Sequence, residues 1–393
     1  MLHSLPLVVA LAAGASASPF KHPVDARDAP QQWGFFTNNT IYQPTGNETL
    51  TYPRYAQLQD GGILATTSLN GHNPSYFPIF LSKDGGASWE HVSDIHDTAN
   101  GWGLGAQPAL VELRESLGGF EAGTVLASGN SASRNGTHID LYASTDKAKT
   151  WKFIGNIAKG GAPNTTNGAT PIWEPYLLVY NHSLVCYYSD QRDPKHGQKL
   201  AHQVSKDLKT WEDPVDDVVY DLYIQRPGMT VVAYLPPVKK WILVHENPKG
   251  NSSSYGSNYP VYYVLADNPL DFRLNQGQPI VVNAADGHQY VPNASPYVVW
   301  SPTGGPNGTI VVSDADRGQV YTNRAGGAID KWESHATPAG ATYSRAIGIL
   351  EKYPDHLLIF GGETFRGMDK GLHTPFTATV VNLTQVLQSP PCC

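Results

Sequence analysis

Three turns with one pattern recur along this chain and set its architecture. They are Ser82-Lys83-Asp84-Gly85-Gly86-Ala87-Ser88-Trp89, Ser144-Thr145-Asp146-Lys147-Ala148-Lys149-Thr150-Trp151 and, one residue shorter, Ser205-Lys206-Asp207-Leu208-Lys209-Thr210-Trp211. The serines stand 62 and 61 residues apart. A turn repeating at that interval marks a modular fold of stacked, similar units. Each residue type has a local reason. The Asp accepts hydrogen bonds from backbone amides, Gly relieves strain in the tight turn, and Trp plugs the turn onto apolar surface.

Between the turns, short β-branched and aromatic runs alternate with Gly, Pro, Asn and Asp, and helical periodicity is scarce. Each unit reads as an inner strand, a second strand after a turn, and a third ending in the recurring turn or its relic. Inner strands are expected to start near residues 53, 107, 171, 226, 293 and 343. Residues 267–271 read as a turn remnant in the fourth unit, and Trp332 takes the turn's Trp position in the fifth. Six strand meanders at this period predict an all-β, six-bladed propeller, with residues 40–50 supplying an outer strand that closes the ring. A two-domain sandwich leaves the regular recurrence unexplained.

The first residues form a short apolar run, Leu5 to Ala13, followed by Ala15-Ser16-Ala17. This reads as a secretory signal peptide, residues 1–17, leaving one propeller domain over 18–393 and a secreted, extracellular protein. Nine Asn-x-Ser/Thr sequons, at Asn38, Asn47, Asn135, Asn164, Asn181, Asn251, Asn293, Asn307 and Asn382, agree with a secreted glycoprotein. Cys186 sits in an apolar run and reads as a small buried hydrophobe, and Cys392-Cys393 end the chain. Charged residues make up 16% of the chain, with a net charge of −7 and no basic run, which argues against nucleic acid and membrane partners. The 9 Trp and 21 Tyr permit a carbohydrate ligand without demanding one. No His-Glu-x-x-His, Gly-x-Ser-x-Gly or P-loop pattern occurs, so neither a metal nor another cofactor is expected.

In a propeller the inner strands line a central channel, and ligands bind at one mouth. Glu174, in Ile172-Trp173-Glu174-Pro175-Tyr176, begins the third inner strand; Glu246 ends the second strand of the fourth unit. The start of a first strand and the end of an antiparallel second strand share a rim, so both carboxylates are expected to face one cavity. Paired carboxylates in a partly apolar pocket are what glycoside hydrolysis requires. Arg54, Asp190, Arg226, Asn293, Tyr343 and the ring of Trp173 are candidate substrate ligands, and Asp314 and Glu363 share the same kind of position. Residues 101–105 and 251–259 are candidate rim loops.

The recurring turns resemble the Asp-box of sialidase-type propellers. Pro53-Arg54-Tyr55, Trp173-Glu174-Pro175-Tyr176, Val244-His245-Glu246-Asn247 and Thr342-Tyr343-Ser344-Arg345 together resemble glycoside hydrolase family 93. That resemblance implies a secreted, retaining exo-α-1,5-L-arabinanase that releases arabinobiose from the non-reducing end of arabinan, with Glu174 as acid/base and Glu246 as nucleophile. Arg226 or Tyr343 would then favour an ionised Glu246, the apolar flanks Trp173 and Tyr176 would hold a proton on Glu174, and the carboxyls would stand about 5–5.5 Å apart. The chain is expected to act as a monomer on arabinan and arabino-oligosaccharides. A sialidase, which would hold a substrate carboxylate with arginines, and a non-catalytic sugar-binding propeller are the competing readings.

Overall fold

A computed structural model describes residues 34–248, 258–275, 277–284, 287–364 and 373–389. Residues 1–17, residues 251–257 of one candidate rim loop, and Cys392-Cys393 lie outside the described residues. The described chain is almost entirely β and forms six antiparallel blades arranged as a propeller. From the channel outward, blade one is Thr49–Gln57, Ile63–Asn70, Tyr76–Ser82 and Glu90–His96. Blade two is Leu104–Glu112, Val125–Ser133, Gly136–Ser144 and Lys152–Gly160. Blade three is Ile172–Tyr180, Ser183–Asp190, Lys199–Ser205 and Val215–Val218, and blade four is Gly228–Leu235, Lys240–Glu246, Val261–Ala266 and Gln278–Pro279.

Blade five, Tyr297–Ser301, Thr309–Ser313, Val320–Asn323 and Trp332–His335, gains a small hairpin on its outer edge through a parallel Val282–Trp332 pairing. Blade six is Ile347–Leu350, Tyr353–Gly361 and Phe376–Asn382, completed on the outside by the N-terminal strand Phe36–Tyr42. The ring therefore closes with Phe36–Tyr42, not with residues 40–50. Thr49 and Leu50 already belong to the inner strand of blade one, and closure protects an otherwise open sheet edge. Blades one to five also carry a fourth strand beyond the three read from sequence. These outer strands are short or half-exposed, as in Val215–Val218 and Gln278–Pro279, and so lack an apolar run. Apolar faces of successive blades pack on each other. One such layer joins Val185, Tyr187 and Leu200 of blade three to Val232, Leu243 and Val264 of blade four.

The recurring turns link third to fourth strands. Ser82 Oγ donates to Asp84 Oδ1 (2.9 Å) and accepts from the Gly86 amide (2.8 Å), while Asp84 accepts from the Ser88 amide (2.9 Å) and hydroxyl (2.6 Å). Asp146 and Asp207 make the same contacts with Thr150 and Thr210. These donors hold the Asp146 carboxyl at about 2, below its ordinary 3.8. The first turn needs two left-handed residues, and Gly85 (φ 72°) and Gly86 (φ 94°) adopt that backbone without a Cβ clash. In the third turn Leu208 (φ 62°) alone is left-handed, which matches its missing residue. Replacing Asp84 by Ala strips three hydrogen bonds from one turn. The expected result is a loss of about 1–2 kcal/mol in chemical denaturation with kcat unchanged, because the turn lies away from the channel.

Candidate active site

The site arises from one backbone irregularity repeated around the ring. Inner strands of blades one to four break register between Thr51 and Arg54, Ala106 and Ala109, Trp173 and Tyr176, and Gly228 and Val231. Each break sets two residues against one on the neighbouring strand, a β-bulge. The first bulge residue is left-handed every time: Tyr52 (φ 62°), Gln107 (φ 61°), Glu174 (φ 63°) and Met229 (φ 63°). Ser295 (φ 48°) and Ser344 (φ 57°) occupy the matching places in blades five and six. A left-handed non-glycine residue is disfavoured, and its recurrence at one height of a channel marks a built feature.

A bulge frees a backbone N–H from the ladder, and a buried N–H must find an acceptor. Here the acceptor comes from the preceding blade. The Gln107 amide donates to Ser68 Oγ (2.9 Å), the Glu174 amide to Gln107 Oε1 (3.0 Å), the Met229 amide to Glu174 Oε2 (2.8 Å) and the Ser295 amide to Glu246 Oε2 (2.7 Å). The Tyr52 amide donates to the Tyr343 carbonyl at 3.3 Å. Glu174 and Glu246 thus serve as acceptors for the bulges of blades four and five. Glu246 reaches this place because its residue pairs with Gly228, at the rim where the bulge begins. The two glutamates stand close enough that the Glu174 charge raises the energy of charging Glu246.

Burial raises both carboxyls, but unequally. Glu174 accepts a second bond from Ser189 Oγ (2.6 Å), and the positive fields of Arg54 and Arg226 also favour its anion, which offsets part of the rise. Among the described residues Glu246 accepts from the Ser295 amide; burial and the Glu174 charge push it to about 8 from an ordinary 4.5. Arg226 therefore acts on Glu174 and not on Glu246, contrary to the expectation from sequence. Tyr52 and Tyr343 pack edge to face, ring centroids 6.3 Å apart, and both feel the two carboxylates. The Arg54 guanidinium lies 4.0 Å from the centroid of the Tyr52 ring and donates to the Pro53 and Ser344 carbonyls and to Ser344 Oγ.

The other candidates divide into those drawn to this centre and those held elsewhere. Trp173 flanks Glu174 and donates its Nε1 to Gln191 Oε1 (2.8 Å), an oxygen that also accepts from Arg226 (2.9 Å). Arg226 further binds Asn167, Gly197 and Gln198, so its donors are engaged by amide oxygens. Asp190 lies at the rim but forms a two-pronged pair with Arg192 (2.9 and 2.7 Å). Asn293 bonds Asp316 (2.6 Å) and the Tyr259 amide (2.9 Å), and Asp314, pushed to about 6 by burial, accepts from the Asn293 amide (3.1 Å). Both support the Ala294–Ser295 bulge that holds Glu246. Glu363 is buried against Thr374. In the rim loop 101–105, the Trp102 and Gly103 amides are gathered by Asp97.

Tyr52, Gln107, Ser189, Gly228 and Ser295 belong to the site but escaped the sequence reading. One signal was present: Tyr52-Pro53, Gln107-Pro108 and Glu174-Pro175 place a proline after the bulge residue in three successive blades.

Two outcomes follow from this geometry. A Cβ on Gly228 would stand 3.2 Å from Glu174 Oε2 and 3.1 Å from Gln198 Nε2, and its φ is not in the left-handed region. Gly228→Ala should therefore fold, yet lower kcat by about tenfold through a displaced Glu174, as steady-state kinetics beside a melting curve would show. Glu246→Gln keeps an acceptor for the Ser295 amide but cannot ionise. In the native protein Glu246 holds its proton up to about 8 while the unfolded chain releases it near 4.5, so wild-type stability falls as pH rises through that window. The variant's Tm should match wild type at pH 4 and exceed it by roughly 2–4 °C at pH 8; an advantage that does not grow with pH would refute the proton held on Glu246.

No protein-family model and no curated protein matches the chain. Solved structures do. The α-L-arabinofuranosidase of glycoside hydrolase family 93 from Fusarium graminearum, in complex with arabinobiose, is 41% identical with a TM-score of 0.84, covering 90% of this chain and 99% of that one. A Penicillium chrysogenum α-L-arabinanase complexed with arabinobiose is 38% identical with a TM-score of 0.82, over 90% and 99%. The NanB sialidase of Streptococcus pneumoniae shares the fold at 10% identity and a TM-score of 0.56, over 89% and 71%. With this identity along nearly its whole described length, and a carboxylate pair set between adjacent blades, the chain belongs to glycoside hydrolase family 93.

Proposed function

We propose that this protein is a secreted, monomeric, retaining exo-α-1,5-L-arabinanase that releases arabinobiose from the non-reducing end of linear arabinan. The observation that carries the reading is the pair Glu174 and Glu246, held on adjacent blades within reach of each other's charge, in a chain whose 41% and 38% identical relatives are both complexed with arabinobiose.

Retaining hydrolysis needs one ionised carboxylate to attack the anomeric carbon and one carboxylic acid to protonate the leaving oxygen. We assign attack to Glu246 and the acid/base role to Glu174, as the family resemblance supports; Glu174, half-buried beside Trp173 with its carboxyl raised, is the feature of this structure that favours it. The Glu246 carboxylate forms the glycosyl ester as the leaving oxygen takes the proton from Glu174. Glu174 then removes a proton from water, which attacks the anomeric carbon and frees Glu246. The two buried carboxyls titrate as a pair, so the proton that burial holds on Glu246 passes to Glu174 when substrate binds. The sialidase reading is weakened because the Arg54 and Arg226 donors already face protein oxygens and are poorly placed to grip a substrate carboxylate.

Linear α-1,5-arabinan should give arabinobiose as the sole early product, with the anomeric configuration retained by NMR. Release of sialic acid from sialyl-lactose with arabinan untouched would overturn the reading. Glu174→Ala and Glu246→Ala should each lower kcat by at least about 10³-fold. Azide distinguishes their roles on an aryl glycoside: the variant lacking the nucleophile yields a glycosyl azide of inverted configuration, and the variant lacking the acid/base yields a retained one.

A further inference from the structure

We propose that Tyr223 and Tyr259 form an aromatic platform for the sugar units on the leaving-group side of the cleaved bond, which makes them determinants of polymer specificity. This rests on the arabinanase reading above. The floor of the site is built of enclosed rings, with Tyr52 3% and Tyr297 7% exposed. Tyr223 and Tyr259 differ, at 39% and 41% exposed. Both nevertheless lie in the field of Arg226, the same guanidinium that acts on Glu174.

Each ring is tied through its backbone to one of the two glutamates' supports. The Tyr223 carbonyl accepts from Asn167 Nδ2 (3.0 Å), and Asn167 Oδ1 accepts from Arg226 (2.6 Å). Gly197 lets this segment approach, since a Cβ there would stand 2.3 Å from the Tyr223 oxygen. Tyr259 donates its amide to Asn293 Oδ1 (2.9 Å) and accepts from the Ala294 amide (2.8 Å), beside the Ser295 amide that holds Glu246. The Tyr223 segment continues the apolar surface outward through Leu222 and Ile224, 54% and 56% exposed. Half-exposed tyrosines offer an apolar ring face with a polar tip, which suits the carbon face and hydroxyls of a furanose. An exo-acting enzyme encloses the end of the chain it removes, and the remaining polymer must leave over an open rim. The exposed rings of Tyr223 and Tyr259, beside the guanidinium that acts on Glu174, are the place assigned to that part of the chain.

The test compares linear arabinan with α-L-arabinobiosyl fluoride, whose leaving group carries no sugar. Tyr223→Ala and Tyr259→Ala should each raise KM on arabinan by about 3–10-fold and leave kcat/KM on the fluoride within about twofold. Tyr223→Phe should keep near-wild-type KM because the ring remains. Ile224→Ser, on the exposed flank, gives the same selective rise in KM should an alanine variant fail to fold. An equal loss on both substrates, or an unchanged KM on arabinan, overturns the platform while leaving the arabinanase reading intact. Failure of the wild type on both substrates overturns the two together.

Discussion

The site depends on the need of a bulged N–H for an acceptor. Six inner strands converge at one height, and five of their left-handed bulge residues donate backward to the preceding blade, through Ser68, Gln107, Glu174, Glu246 and the Tyr343 carbonyl. The fifth-to-sixth seam is stitched nearby by Ser313 Oγ donating to the Arg345 carbonyl (2.6 Å). A hydrogen bond buried at a seam fixes the phase of one blade against the next more sharply than apolar packing can, because an orphaned N–H costs about 1–3 kcal/mol. Two of the acceptors are the carboxylates assigned to chemistry. Structural and chemical roles coincide in the same oxygens, so the carboxylates are held in place before any ligand arrives.

This arrangement explains why the scaffold was legible in the sequence and its wiring was not. Ser82, Ser144 and Ser205 head local turns whose contacts span three or four residues, and local contacts leave a spacing that can be counted. Once the blades are in phase, Glu174 and Glu246 fall on one rim by strand geometry alone. The partners of those glutamates are different. Met229 lies 55 residues beyond Glu174, Ser295 lies 49 beyond Glu246, and both contribute only a backbone N–H, which carries no sequence identity. Asp190 shows the same limit from the other side. Its position matched Glu246's in the strand count, but Arg192, two residues on, claims it. Strand position locates a rim, and only the pairing decides which rim carboxylates remain available.

The same wiring makes the surroundings of the two glutamates unequal. Two facing carboxyls in a buried site share a proton, and their titration belongs to the pair. In the free protein the donors each has gathered bias where that proton rests. Glu174 sits at a bulge itself, so it meets both the Ser189 hydroxyl across its own ladder and the Met229 amide of the next blade, with Arg54 and Arg226 beyond. Glu246 lies on a second strand, outside the bulge, and among the described residues meets the Ser295 amide. The asymmetry follows from topology: a bulge residue touches two seams and a second-strand residue touches one. Two identical side chains therefore come to hold a shared proton unequally, because the ring of blades supplies them, among the described residues, with unequal numbers of donors.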